Sequence, residues 1–79
     1  MTYYKVGRCR LGVILKEIGM SQQFLATKVE LSIQQISNYV NNRQNMSLEN
    51  AINIARIVNR PVNDLYELIP LKSRHQRQE

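Results

Sequence analysis

The sequence predicts an all-α domain of five short helices. Apolar residues recur at helical spacing in several separate segments. A serine precedes three of these segments, at Ser21, Ser32 and Ser47, where it can act as a helix N-cap. Only three glycines and two prolines interrupt the 79 residues, and no convincing strand pattern or internal repeat is present. One small domain with a packed core is therefore expected.

The first predicted helix covers residues 8–18, because Leu11, Leu15 and Ile18 fall on one face and Gly19 supplies a left-handed stop. Gly12 weakens this helix only slightly.

The second predicted helix follows Ser21 and extends to Val29, with Phe24 and Leu25 also turned inward. A connection of two or three residues leads to the third helix, which begins at Ser32. Gln35 stands three residues later, and this spacing is typical of a capping box.

The fourth predicted helix follows Ser47 and extends to Val58. Pro61 can begin a fifth helix over about residues 62–69, which ends before Pro70. The chain then divides into an N-terminal arm of residues 1–7, a helical domain of residues 8–69 and a basic, flexible tail of residues 70–79.

The segment "SIQQISNYVNN", residues 32–42, carries no charge in a chain of net charge +5. At 100° per residue its apolar anchors are Ile36, Tyr39 and Val40, and Gln34 and Asn38 lie on the opposite side. A solvated helix face usually carries Lys and Glu, whereas Asn is a poor helix former. Clustered amides are therefore either soluble filler or a surface that contacts bases, since Gln and Asn can bond adenine bidentately in the major groove.

The positive charge is concentrated in the first half of the chain. Residues 1–46 contain six cationic side chains and two acidic ones, and the tail adds Lys72, Arg74 and Arg77. A polyanion partner such as nucleic acid fits this distribution, and simple solubility fits it equally well.

Two short helices joined by a tight turn have the spacing of a helix-turn-helix, in which the second helix enters the major groove. The segments "GMSQQFLATKVELSIQQISNYVNN" and "MSLENAINIARIVNRPVNDLYEL" resemble the phage-repressor/Cro-type (XRE family) helix-turn-helix transcriptional regulators. The similarity extends from about Arg8 to Leu68. It implies a compact five-helix repressor-like DNA-binding domain that acts as a sequence-specific double-stranded DNA-binding regulator, either a repressor or a Cro-like switch.

The resemblance also implies roles for individual residues. Ile33 has two open interpretations, base contact or core, and Gln35 has a capping role as well as a possible phosphate contact. Arg8, Arg10 and Lys28 are either additional phosphate contacts or simply solvated. The expected base-contacting residues are Ile33, Gln34, Ser37 and Asn38, and the expected phosphate-contacting residues are Gln22, Gln35, Asn41, Asn42 and Arg43.

Two positions depart from the family pattern. Val40 stands where the family commonly has a glutamate, just before the asparagine that ends the helix. Glu30 stands in the turn where the family usually has glycine, because the chain there tends to adopt positive φ. Either Glu30 adopts that conformation at a cost of about 1 kcal/mol, or the turn has a different shape.

Surplus apolar side chains near the C-terminus have two open interpretations. Either they close the small core, or they form the contact of a homodimer on a palindromic operator, with Leu65, Leu68 and Ile69 as its contact residues. The rival function is a protein-interaction module of the same fold, such as an antitoxin or repressor antagonist, with little DNA binding of its own.

Other classes of protein are disfavoured. The only histidine lies in the tail, no carboxylates are paired on a helix, and no metal-ligand spacing or glycine-rich phosphate loop is present. We therefore expect no catalytic residues, no metal and no cofactor. Cys9 is interpreted as a small buried apolar residue of the first helix. Without a secretory segment or an apolar run of membrane-spanning length, a cytoplasmic protein is expected. The resemblance to phage repressors implies a bacterial or phage-encoded protein.

Overall fold

A computed structural model describes residues 3–71, which form four α-helices, one short 3₁₀ helix and a two-stranded sheet. The strands are antiparallel, and residues from opposite ends of the sequence pair in them. In chain order the elements are β1 (Tyr3–Cys9), α1 (Leu11–Ile18), α2 (Gln22–Val29), α3 (Ile33–Val40), α4 (Leu48–Val58), the 3₁₀ helix (Val62–Leu65) and β2 (Tyr66–Leu71).

The expectation of an all-α, five-helix domain was therefore wrong at both ends of the chain. The fifth helix is only the 3₁₀ turn Val62–Leu65, and Tyr66 continues into β2 in extended conformation. The first helix begins at Leu11 rather than Arg8, because residues up to Cys9 belong to β1. The division into arm, domain and tail stays a prediction, and residues 72–79 of the expected tail lie outside the described residues.

The serine caps and the glycine stop are confirmed. The hydroxyl oxygens of Ser21, Ser32 and Ser47 each accept a hydrogen bond from the backbone N–H three residues later, at 3.0–3.1 Å. Gly19 ends α1 with φ of 70°, a conformation in which glycine has no Cβ penalty. These local signals fix where the helices begin and end, and so fix the length of each connection.

The helices enclose one hydrophobic core, in which α2 packs against both α3 and α4. Leu25 and Ile36 lie fully buried where α2 meets α3, and the small side chain of Ala26 allows the two helices to approach closely. Phe24 was expected to turn inward, but it is exposed, with the Lys28 ammonium 5.3 Å from its ring centroid.

The turn between α2 and α3 has the shape that the family pattern requires. Glu30 has φ of 59° and ψ of 42°, in the left-handed region, and its backbone N–H caps the end of α2. Glutamate is strained in this region because its Cβ approaches the following carbonyl. The turn is therefore preserved, and the strain lies at Glu30.

Replacing Glu30 by glycine should raise the free energy of unfolding by about 0.5–1 kcal/mol, as relief of strain exceeds the added chain entropy of glycine. Urea denaturation followed by circular dichroism measures this change. Asn59 is the matched control, because it ends α4 with the same φ of 59° and asparagine tolerates that region. Asn59→Gly should give a smaller gain, and an equal gain in both variants would contradict strain at Glu30.

Candidate nucleic-acid interface

The helix α3 is held to the core by two fully buried side chains, Ile36 and Tyr39. The Tyr39 hydroxyl oxygen accepts hydrogen bonds from Gln35 Nε2 at 3.0 Å and from Asn50 Nδ2 at 2.9 Å. The Gln35 bond lies within α3, whereas the Asn50 bond joins α3 to α4. The Asn50 bond therefore helps to fix the rotation of α3 relative to α4, because another rotation would leave the buried Tyr39 hydroxyl without this donor. The opposite face of α3 is therefore presented outward in one orientation.

The outward face carries the amides that the sequence singled out. Gln34 Nε2 donates to Asn38 Oδ1 at 3.1 Å, so the two side chains form a linked pair along the helix surface. This bond leaves Gln34 Oε1 as an acceptor and the Asn38 amide hydrogens as donors, side by side. The structure thus brings the two expected adenine-contacting residues together.

The other two expected base-contacting residues lie on either side of this pair. Ile33 is 48% exposed in the first turn of α3 and does not belong to the core cluster. Ser37 is partly buried, and its hydroxyl accepts a hydrogen bond from Asn41 Nδ2 at 3.1 Å. Asn41 also donates to the Ser37 carbonyl, so its side chain folds back along α3. The roles of these residues in base or phosphate contact stay predictions.

The capping box at Ser32 is only half formed. Ser32 accepts from the Gln35 backbone N–H, but the Gln35 side chain donates to Tyr39 instead of returning to the start of the helix. The Gln35 amide is therefore engaged by Tyr39 within α3, which leaves it less available for the phosphate contact expected from the sequence.

The segment after α3 is tied to the sheet by two hydrogen bonds that the sequence did not indicate. Asn42, in the left-handed region with φ of 60°, accepts from the Cys9 backbone N–H through Oδ1 at 2.8 Å. The Tyr66 hydroxyl accepts from the Met46 backbone N–H at 3.0 Å. Asn42 was expected to contact phosphate, and in this geometry its amide oxygen is already engaged in positioning the segment. Arg43, between these two ties, is exposed.

Cys9 and Tyr66 meet at the base of the sheet. Cys9 belongs to β1 and is half-buried, so its placement on the first helix was wrong. Burial raises the pKa of the Cys9 thiol and also that of the Tyr66 hydroxyl, so both groups keep their protons at neutral pH. The residues that hold the α3–α4 connection are therefore uncharged.

A basic groove runs along α1, between the end of β1, the start of α2 and the C-terminal end of α3. In residues 3–71 the ion pair formed is Arg60–Glu17, at 3.0 Å, so none of the groove cations belongs to a described ion pair. Glu67 lies at one edge, where Oε1 accepts from the Arg8 backbone N–H. The groove is lined among others by Arg8, Arg10, Lys16, Gln22 and Asn42.

This groove joins residues that are far apart in the sequence. Gln22 and Asn42, two of the expected phosphate-contacting residues, share it with three cationic side chains. Arg8 and Arg10 were weighed as phosphate contacts from the sequence, but Lys16 was not, because an exposed lysine on an amphipathic helix carries no local signal.

A family model described as "Helix-turn-helix", of the XRE type, matches residues 13–65, which include all four helices in whole or part. The chain belongs to the XRE-type helix-turn-helix family. In helix-turn-helix terms α2 is the first helix of the motif and α3 is its recognition helix.

The helix-turn-helix fold is shared with a solved structure, that of a "putative DNA-binding protein from Bacteroides fragilis". The two structures superpose with a TM-score of 0.71 at 24% sequence identity, over 85% of this chain and 100% of the other. At this identity the similarity concerns the fold. Curated protein sequences gave no match.

Two further observations concern the described residues. No helix within residues 3–71 is long and apolar enough to cross a membrane. No group of three or more histidine, cysteine or acidic side chains is placed there to hold a metal ion. The expectation of a cytoplasmic protein stays a prediction.

Proposed function

We propose that this chain is a small transcriptional regulator, a repressor or Cro-like switch, that binds double-stranded DNA with α3 in the major groove. One observation carries the proposal: the recognition helix presents a linked, uncharged amide pair, Gln34–Asn38, on a molecule whose groove cations form no described ion pair. Attraction to phosphate is then supplied by the groove, and discrimination between bases by the helix. The name of the Bacteroides fragilis protein agrees with this function.

The exposed atoms of the amide pair match one base edge in particular. Adenine presents the N6 donor and the N7 acceptor in the major groove. Gln34 Oε1 can accept from N6 while Asn38 Nδ2 donates to N7, so the pair as a whole suits adenine. Ile33, exposed in the first turn, is placed for apolar contact with a thymine methyl group, and Ser37 completes the proposed base-contacting set.

The proposed phosphate contacts surround this face. Gln22 lies at the N-terminus of α2, where the helix dipole and free N–H groups favour an anion. Arg43 follows α3, and Asn41 and Asn42 can contribute only through the donors that their internal hydrogen bonds leave free.

The operator that we propose is palindromic and is bound by a homodimer, with two half-sites about one helical turn apart. Leu65 cannot contribute to the dimer contact expected for it, because it is fully buried in the core. Leu68 and Ile69 are exposed on opposite faces of β2.

Selection of bound sites from random duplex DNA tests the function. A palindromic, adenine-containing consensus is the expected result. Failure to enrich any sequence, with weak binding even at low salt and tight binding to a protein partner, would favour the protein-interaction module instead.

Salt dependence tests the groove separately from the bases. Arg10→Gln and Lys16→Gln should each reduce the slope of log K against log salt concentration by about 1, on operator and random duplexes alike, since each removes one phosphate contact. Fluorescence anisotropy across a salt series measures the slope.

Arg56→Gln is the matched control, because it removes the same charge from the exposed surface of α4, away from the groove. It should leave the slope unchanged. Equal slopes for all three variants and the wild type would contradict a groove that contacts phosphate.

A further inference from the structure

The two strands form a ribbon that extends from the helical body. Among the described residues β1 packs mainly against β2, and the molecule measures 44 × 20 × 19 Å along its principal axes. A two-stranded sheet that packs against little else is marginally stable in water. A partner that covered one face of the ribbon would therefore stabilise it.

One face of this ribbon is apolar. The register pairs Tyr4 with Pro70 and Val6 with Leu68, and side chains of directly paired residues point to the same side of a sheet. Tyr4, Val6 and Leu68 are 56%, 53% and 43% exposed, and Pro70 is exposed beside them. We call these four residues the ribbon face. It contains no charged side chain.

We propose that the ribbon face packs against the ribbon face of a second copy of this chain, about a two-fold axis. The inference rests on the proposed function for its biological role, since the two copies would each place one recognition helix on one half-site. Of the residues expected from the sequence to contact a partner subunit, only Leu68 lies on the ribbon face.

The segment after the described residues is a poor candidate to cover this face. Residues 72–79, "KSRHQRQE", contain no large apolar side chain to bury against Tyr4 and Val6.

Charge also favours a second copy. The chain has a net charge of +5, so most of its surface would repel an identical molecule. The ribbon face is uncharged, so two copies of it do not repel each other. This matters because an interface on a two-fold axis brings the same patch of both subunits together. The same lack of cations makes it unsuited to bind nucleic acid.

The edges of the ribbon favour packing through the face over addition of a strand to β2. Proline has no backbone N–H to donate. Pro70 pairs with Tyr4 of β1, and its nitrogen is therefore expected on the outer edge of β2, away from β1. The outer edge of β2 then lacks one donor, as is common in strands that avoid pairing with another chain.

The base of the ribbon is connected to the DNA-binding face. The Cys9–Asn42 and Tyr66–Met46 hydrogen bonds join β1 and β2 to the segment that follows the recognition helix. Contact between two ribbons would therefore set the distance and angle between the two α3 helices, and with them the half-site spacing.

Sedimentation equilibrium of the full chain tests the inference directly. The wild type should have twice the monomer mass at micromolar concentration. In the double variant Val6→Thr/Leu68→Thr the dimer dissociation constant should rise at least tenfold, because the apolar contact is lost while threonine keeps a strand-forming side chain. Circular dichroism confirms that the variant remains folded.

Leu48→Thr is the matched control, because Leu48 is 72% exposed on α4, outside the ribbon. It should leave the dissociation constant unchanged. Two outcomes would overturn the inference. One is a wild type that is monomeric, and the other is a double variant that dimerises as tightly as the wild type.

DNA binding separates this inference from the proposed function. On a duplex with one half-site the double variant should bind as tightly as the wild type, and on a duplex with two half-sites it should bind at least tenfold more weakly. A dimer that binds no duplex would contradict the proposed function and leave the ribbon contact supported. A monomer that binds a half-site would contradict only the ribbon contact.

Discussion

Replacing Ile36 by alanine is expected to lower the free energy of unfolding by about 2–5 kcal/mol. Ile36 is fully buried where α3 meets α2, so the substitution removes its transfer free energy and leaves a cavity among Leu25, Ile36 and their neighbours. The free energy of unfolding of so small a domain is only a few kcal/mol, on the order of this loss, so partial unfolding near room temperature is expected. Urea denaturation followed by circular dichroism measures the loss.

Ile33→Ala is the matched control, since it makes the same substitution three residues earlier in the same helix. Because Ile33 is 48% exposed, its loss should cost about 1 kcal/mol or less. A loss as large as that of Ile36→Ala would place Ile33 in the anchor of α3 and contradict its proposed contact with DNA. The comparison thus decides between the two interpretations that the sequence left open at this position.

Local signals in the sequence predicted the middle of the fold and failed at its ends. The serine caps, Gly19 and the apolar spacing act within a few residues, so four helices could be located from them. The ribbon depends on pairing between residues about 60 positions apart, which no local pattern specifies. Tyr3, Tyr4 and Val6 have high strand propensity, and this was the available signal for β1.

For the candidate site, the sequence predicted which residues lie on the outer face but not the hydrogen bonds that they form. Helical periodicity identified which side chains share the outer face of α3, because the angle per residue is fixed. Periodicity could not show that Gln34 donates to Asn38, that Gln35 turns to Tyr39, or that Asn42 accepts from Cys9. These bonds depend on rotamers and on neighbours that are distant in sequence. They decide which amide atoms remain free for DNA.

Gln34→Ala and Asn38→Ala are each expected to cost about 1–3 kcal/mol of binding free energy on the selected operator. Random duplexes of equal length should bind both variants almost as tightly as the wild type, because neither residue is proposed to contact phosphate. The two losses should not be additive in the double variant, since each single substitution also removes the Gln34–Asn38 bond that orients the other side chain. Fluorescence anisotropy at constant salt gives the affinities of the wild type, the two single variants and the double variant on both kinds of duplex.

Gln22→Ala is the control, because it is expected to weaken binding to every duplex rather than to the operator alone. Gln22 lies in the basic groove at the start of α2, away from the amide pair, so its loss should weaken binding on operator and random duplexes alike. If the Gln34 and Asn38 variants also lost affinity equally on both duplexes, base contact by the amide pair would be refuted. If they lost none on either, discrimination would have to come from other residues of α3, with Ile33 the first to test because its side chain is the exposed apolar group of that face.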